Sequence, residues 1–204
     1  MPISVKQIIE ASGLNNKFSR TVKWGKQIES SSRGIFIIST SEDPNVLSPV
    51  YESAPIDLNL IEFWIKKAPK MQIDKQSATA EALYKRLESF WLPDETILYI
   101  GQNTTNIGFR VIVNRIYNTE LGSKMPTTSA YWLKSLSILH QLHVHYISCS
   151  HPEDKRDEML KIFNAQISKK TKKNSKHIDF LNPFANKIVG RGSTKEIGIL
   201  NYYD

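Results

Sequence analysis

The stretch that most constrains this chain is Ile97-Leu98-Tyr99-Ile100-Gly101-Gln102, an apolar run rich in β-branched and aromatic residues that breaks at a glycine. Its composition and its boundaries of acidic and turn residues predict a strand. Asn103-Thr104-Thr105-Asn106 follows as a polar turn, and Ile107 to Tyr117 reads as a helix carrying Arg110 and Arg115. Asn106 is the expected N-cap, because its side-chain oxygen can accept a bond from a free amide of the first turn. A strand feeding directly into a helix in this way places Tyr99 near the strand end and Arg110 one turn into the helix. A phenol and a guanidinium can then face one small volume.

The rest of the chain supplies further elements. Val5, Ile8 and Ile9 fall at helical spacing between Ser4, a cap, and Gly13, a stop. Thr21 to Gly25 is a brief extended piece, and the turn Ser30-Ser31-Ser32-Arg33 feeds Gly34, where glycine permits backbone angles that other residues avoid. Gly34-Ile35-Phe36-Ile37-Ile38 is a second apolar strand. Loop signals at Asp43-Pro44-Asn45 and Ser48-Pro49 open a region with two predicted helices, one from Leu58 up to Pro69 and one from Ser77, as cap, to Trp91. Ser129 to Leu139 predicts another helix, and Leu142 to Cys149 a third strand. His143 and His145 share one face of that strand, since side chains alternate across it. A zinc site on this pair is disfavoured against a solvated or hydrogen-bonded face, as only His140 or His151 could add a third ligand. Ser150-His151-Pro152-Glu153 reads as a helix start with a capping box, continuing to about Ile167.

At 204 residues the chain suits one domain with elaborations. Its single cysteine, Cys149, excludes an intramolecular disulfide and a cysteine-based zinc site, and reads as a small buried residue. The N-terminal residues lack a signal core and no apolar run is long enough to span a bilayer, which points to a cytosolic protein without membrane association. A net charge of +7 suits a polyanionic partner, without separating nucleic acid from an acidic membrane surface. The run Lys169-Lys170-Thr171-Lys172-Lys173 is either a solvated loop or a phosphate-contacting one that binds without base preference.

Gly34-Ile35-Phe36, Tyr99-Ile100-Gly101 and Arg110 together resemble the two triplets and helix arginine of the GIY-YIG nucleases. The 63 positions from Phe36 to Tyr99 (99 − 36) form a longer link than many members have. With Trp91-Leu92-Pro93 and the ending Pro183-Phe184-Ala185-Asn186, that link resembles a bacterial subset of the family. The tail Lys195-Glu196-Ile197-Gly198-Ile199 matches the subset's ending only in part, since Ile197 stands where a histidine is common.

The resemblance implies an α+β fold with a small, mainly antiparallel three-stranded sheet flanked by helices. Residues 1–33 would be an N-terminal helical extension, 41–95 a helical insertion, and 168–204 a basic loop and closing segment. It implies a DNA endonuclease dependent on Mg²⁺ or Mn²⁺, in a restriction, phage-defence or mobile-element setting. Glu158, with Asp157 as the alternative, would hold the metal through a hard carboxylate oxygen. Arg110 would grip the phosphate with its planar fork, and Tyr99 would orient or deprotonate water. Arg115, Lys169, Lys170, Lys172, Lys173 and the late Asn186 would contact double-stranded DNA. A homodimer would suit double-strand cutting. Phe36 lacks the hydroxyl of the family's first tyrosine, and Asn114 stands where many members keep a histidine or tyrosine; Arg115 or Tyr117 are the substitutes at hand. A catalytically weakened DNA-binding domain is therefore the alternative. A module meeting an acidic protein is a third reading, from outside nucleic acids.

Overall fold

In the computed structural model, residues 2–14, 19–123, 128–189, 193–196 and 198–200 are described. The elements in chain order are α1 (Val5–Ala11), β1 (Arg20–Lys23), β2 (Gly34–Ser39), α2 (Leu58–Lys67), β3 (Gln72–Ile73), β4 (Gln76–Ser77), α3 (Ala80–Glu88), β5 (Ile97–Asn103), α4 (Gly108–Asn118), α5 (Thr128–Lys134), β6 (His143–Ser148), α6 (Pro152–Gln166), α7 (Lys169–Asn174), β7 (Ile188–Val189), β8 (Ser193–Thr194) and β9 (Ile199–Leu200). None of the described helices is long and apolar enough to cross a membrane.

The main sheet is antiparallel throughout, in the order β1-β6-β2-β5. It has four strands rather than the three expected, because Arg20–Lys23 pairs with β6 from the outside. The N-terminal region is thus not purely helical. All six residues of β2 are buried, which accounts for its unbroken apolar sequence: a strand covered on both faces has no reason to alternate.

Two cores divide the sheet. Ile35, Ile37, Ile100 and Ile147 face α1 and α6, packing with Ile8, Met159, Leu160 and Phe163. Phe36, Ile38, Val144 and Tyr146 face the other way, into a larger core with Phe109, Val113 and Ile116 of α4 and residues of α2, α3 and α5. Burying each large apolar side chain contributes about 2–3 kcal/mol. The register slips between Ile38 and Ser39, so that Ile38 pairs with Tyr99 but Ser39 pairs with Ile97. This irregularity turns both Leu98 and Tyr99 toward the α4 core.

Several local expectations shift. The α3 cap is Thr79, whose hydroxyl accepts the Ala82 amide, because Ser77 pairs with Gln72 in a small hairpin completed by β9. α5 ends at Lys134, and a short 3-10 turn at Leu139–Gln141 precedes β6. α6 starts after His151 without the expected capping box. The lysine run forms α7 instead of a loop, capped by Ser168 and anchored where the Ser168 and Thr171 hydroxyls donate to Asp94 at 3.0 and 2.7 Å.

Candidate active site

The residues around Tyr99 and Phe36 are ordered by ring packing. The two rings lie 5.7 Å apart on one sheet face, with Gly101 directly across from Phe36. A Cβ on Gly101 would sit 2.2 Å from the Phe36 ring and 2.6 Å from that of Tyr99. Glycine here is therefore a packing requirement. Phe36 is 1% exposed and serves as an aromatic wedge, also meeting Phe109 edge-on at 6.5 Å.

α4 is set by a close approach to the segment leading into β2. Gly108, with φ +81, brings its backbone so near that a Cβ would meet Ser31 Cα at 2.4 Å and the Ser30 carbonyl oxygen at 2.5 Å. The Arg110 amide donates to that carbonyl at 3.3 Å. Asn106 does not cap this helix. Its side chain accepts from Arg33 Nε at 2.9 Å, and α4 begins after Ile107 with no side-chain cap. Buried Asn103 organises the turn instead, accepting from the Thr105 amide and hydroxyl and donating to the Ser32 and Thr105 carbonyls.

With Phe109 committed to the core, Arg110 turns outward. Arg110 and Asn114, one turn apart on α4, line a polar recess of ≈ 580 Å³ with Trp24, Gln27, Tyr117 and Asn118. The Trp24 and Tyr117 rings meet edge-on at 4.9 Å. Burial pushes the Tyr117 phenol up to about 12, so it stays protonated near neutral pH and makes a poor base. Arg115 is exposed on α4 and is not among the residues lining the recess.

A second recess of ≈ 360 Å³ is lined by Arg20, Glu29, Ser30, Ser31, Ser32, Tyr146 and Ser148. Tyr146 lies directly across from Phe36 on β6, with its ring 5.4 Å from Phe109. The strand order puts Tyr146 and Tyr99 on opposite sides of Phe36. Tyr99 shares the α4 face of the sheet with these residues but lines neither recess.

The expected metal ligands lie elsewhere. Glu158 and Asp157 belong to α6, which covers the opposite face of the sheet through Met159, Leu160 and Phe163. Glu158 accepts from Lys155 at 2.8 Å, and Asp157 lies 3.8 Å from Arg156. The structure does not bring either acid to Arg110. Neither Glu158 nor its alternative Asp157 is placed to hold a divalent cation beside an Arg110-bound phosphate. Among the described residues, no group of three or more histidine, cysteine or acidic side chains is placed to hold a metal. His145 is enclosed: Nδ1 accepts from the Thr21 hydroxyl at 2.8 Å, and Nε2 donates to the Ser41 carbonyl at 3.0 Å.

The late asparagine and the lysine run, both expected at the DNA, also take other positions. Asn186 is 6% exposed and spends both ends of its amide on Ile100. The α7 lysines are tied through Asp94 to the start of β5, whereas α4 follows its end. Seven residues of strand at about 3.3 Å each put roughly 20 Å between the two basic features. Sequence reasoning missed Gln27, Glu29 and Tyr146. The available signal was buried Ile28, which sends its two neighbours outward.

A scan of family models finds no match to this chain, and searches of curated proteins and of solved structures find none either.

Proposed function

We propose that this chain is a GIY-YIG-like domain that binds DNA through its phosphodiester backbone and hydrolyses it. The observation that carries the reading is the convergence of Gly34-Ile35-Phe36 and Tyr99-Ile100-Gly101 on neighbouring antiparallel strands, followed by a helix whose Arg110 and Asn114 open into one polar recess. Arg110 supplies a planar, permanently charged fork that matches phosphate oxygens. Asn114 beside it can orient a water by accepting and donating hydrogen bonds. The surface around them has the size and polarity to seat one phosphodiester group. A divalent cation, Mg²⁺ or Mn²⁺, would have to be held by a carboxylate other than Glu158 or Asp157.

A second reading, DNA binding without cleavage, is favoured by the buried Phe36, which offers no hydroxyl, and by the remote α6 acids. One experiment separates them. Supercoiled plasmid is incubated with the protein and Mg²⁺ or Mn²⁺, beside an Arg110→Ala variant. The nuclease reading expects nicking by the parent and a loss of about 10²–10³-fold in the variant, the usual cost of removing a transition-state charge donor. Binding that weakens steeply with salt, with no nicking, selects the second reading. Neither nicking nor salt-dependent binding overturns both.

A further inference from the structure

We propose that α7 is a second docking surface for the backbone of double-stranded DNA, separate from Arg110, on which Lys169, Lys172 and Lys173 are held in fixed positions to contact phosphates without reading bases. It shares its partner with the reading above but not its site.

The sequence sets the charge. Residues 168–177 hold five lysines and no acid. Like charges one turn apart disfavour a helix, and the six residues of α7 are too few to form one unaided. What holds it is the tie from Ser168 and Thr171 to Asp94, with Thr171 turned inward at 6% exposed. The fold therefore keeps in place a helix of like charges that would otherwise melt. Strand β5 puts it roughly 20 Å from α4, so its lysines are contacts additional to Arg110.

The lysines divide into two sets. Lys170 and Lys176 line a recess of ≈ 600 Å³ shared with Glu52, Glu88 and Asp94, acids that disfavour an anion there. Lys169, Lys172 and Lys173 do not line it. They fall at i, i+3 and i+4, on one stripe of the helix, and among the described residues none of the three pairs with an acid. Lys169 and Lys173 lie about 6 Å apart along the helix axis, and each strand of a duplex carries one phosphate per about 3.4 Å of its own axis. The stripe thus spans about two phosphate steps. It offers no platform for unpaired bases, since the aromatic nearest in sequence, His177, is itself stacked on Phe90 at 4.2 Å. Nor does α7 carry an apolar residue that could enter a bilayer. A duplex backbone is the polyanion that fits.

The test compares the parent with a triple variant, Lys169→Gln, Lys172→Gln and Lys173→Gln. A control triple of the same net charge, Lys6→Gln, Lys66→Gln and Lys75→Gln, changes exposed positions on other elements. Two duplexes of unrelated sequence are titrated by fluorescence anisotropy across a salt series. All three proteins should melt together. The α7 triple should lose about tenfold or more in affinity for both duplexes, and its slope of log affinity against log salt should shrink by about 2.7, three contacts at about 0.9 each. The control slope should shrink by less than about 1. Asp94→Ala should weaken binding although it removes a negative charge, because α7 loses its tie. An α7 triple no weaker than the control, or an Asp94→Ala variant that binds as tightly as the parent or tighter, overturns the inference; if Arg110→Ala still lowers the slope, the reading above stands without it. Phosphatidylserine vesicles are the second probe, because exposed Ile178 follows the run. The parent should bind them more weakly than duplex at equal salt, and the reverse order overturns the inference as well. A parent without salt-dependent duplex binding overturns the nucleic-acid reading and this one together.

Discussion

Asn186 occupies the place of a missing strand beside Ile100: its Oδ1 accepts the Ile100 amide at 2.8 Å and its Nδ2 donates to the Ile100 carbonyl at 2.8 Å. Ala185 extends the match by donating to the Leu98 carbonyl at 2.8 Å. β5 is a sheet edge, and an uncovered edge invites pairing with other chains. Asn186→Asp keeps the shape but sets a second acceptor against the Ile100 carbonyl in a buried place. We expect a loss of about 3 kcal/mol, a typical cost for a buried polar group left opposed. Urea unfolding measures it. A loss below about 1 kcal/mol would show that the edge is held some other way.

The Gly101 contact predicts an interaction that can be measured. Gly101→Ala forces a methyl into the space between the Phe36 and Tyr99 rings, and overpacking of this kind costs about 1–3 kcal/mol. Phe36→Leu removes the ring that lies nearest. In that background the same glycine substitution should cost at least 1 kcal/mol less, a coupling of the size expected for residues in contact. Additive losses in a double-mutant cycle would mean that the rings are not what excludes a side chain.

β2 and β5 were legible because both of their faces are largely buried, so continuous apolar sequence and a glycine break are written into them. α7 was not legible: its lysines carry no apolar period, and what makes it a helix is the distant Asp94 that accepts from Ser168 and Thr171. Of the candidate site, Arg110 and Asn114 could be read because i and i+4 residues share a stripe on any helix. The acids could not. After β6 the chain can pass to either face of the sheet, and only the fit of Met159 and Phe163 against Ile35, Ile37 and Ile100 sends α6 away from Arg110. Asn186 reads in sequence as a polar residue for a site, and its commitment to Ile100 depends on an edge strand 86 positions away.

Arg110 should act on binding without acting on the fold. It is exposed, and its bond to the Ser30 carbonyl is made by the backbone amide, which alanine keeps, so Arg110→Ala is expected to melt with the parent. Its affinity for duplex DNA should fall uniformly across sequences, and the slope of log affinity against log salt should shrink by about 1, the signature of a single lost phosphate contact. Arg110→Lys keeps the charge but not the fork, and should restore the slope more than the nicking rate. An unchanged slope in Arg110→Ala, measured by fluorescence anisotropy, would remove Arg110 from the interface.

Two buried groups oppose each other in acid. Burial lowers His145 to about 4, so the folded state binds fewer protons than the unfolded one between about 4 and the ordinary 6.5, and His145 costs stability as pH falls through that window. Burial, with Asp94 adding to it, raises Glu95 to about 7 from an ordinary 4.5. The folded state then binds more protons across 4.5–7, and Glu95 gains stability as pH falls. Each effect spans about 3 kcal/mol at 1.36 kcal/mol per pH unit, with opposite sign. The parent's stability should therefore change little between pH 6.5 and 4.5 on account of this pair. Glu95→Gln removes one side: it should be more stable than the parent at pH 8, and should lose about 3 kcal/mol on going from pH 6.5 to 4. Urea midpoints taken across that range decide it. A Glu95→Gln profile as flat as the parent's would mean that His145 is not the group kept neutral by the Thr21 and Ser41 contacts.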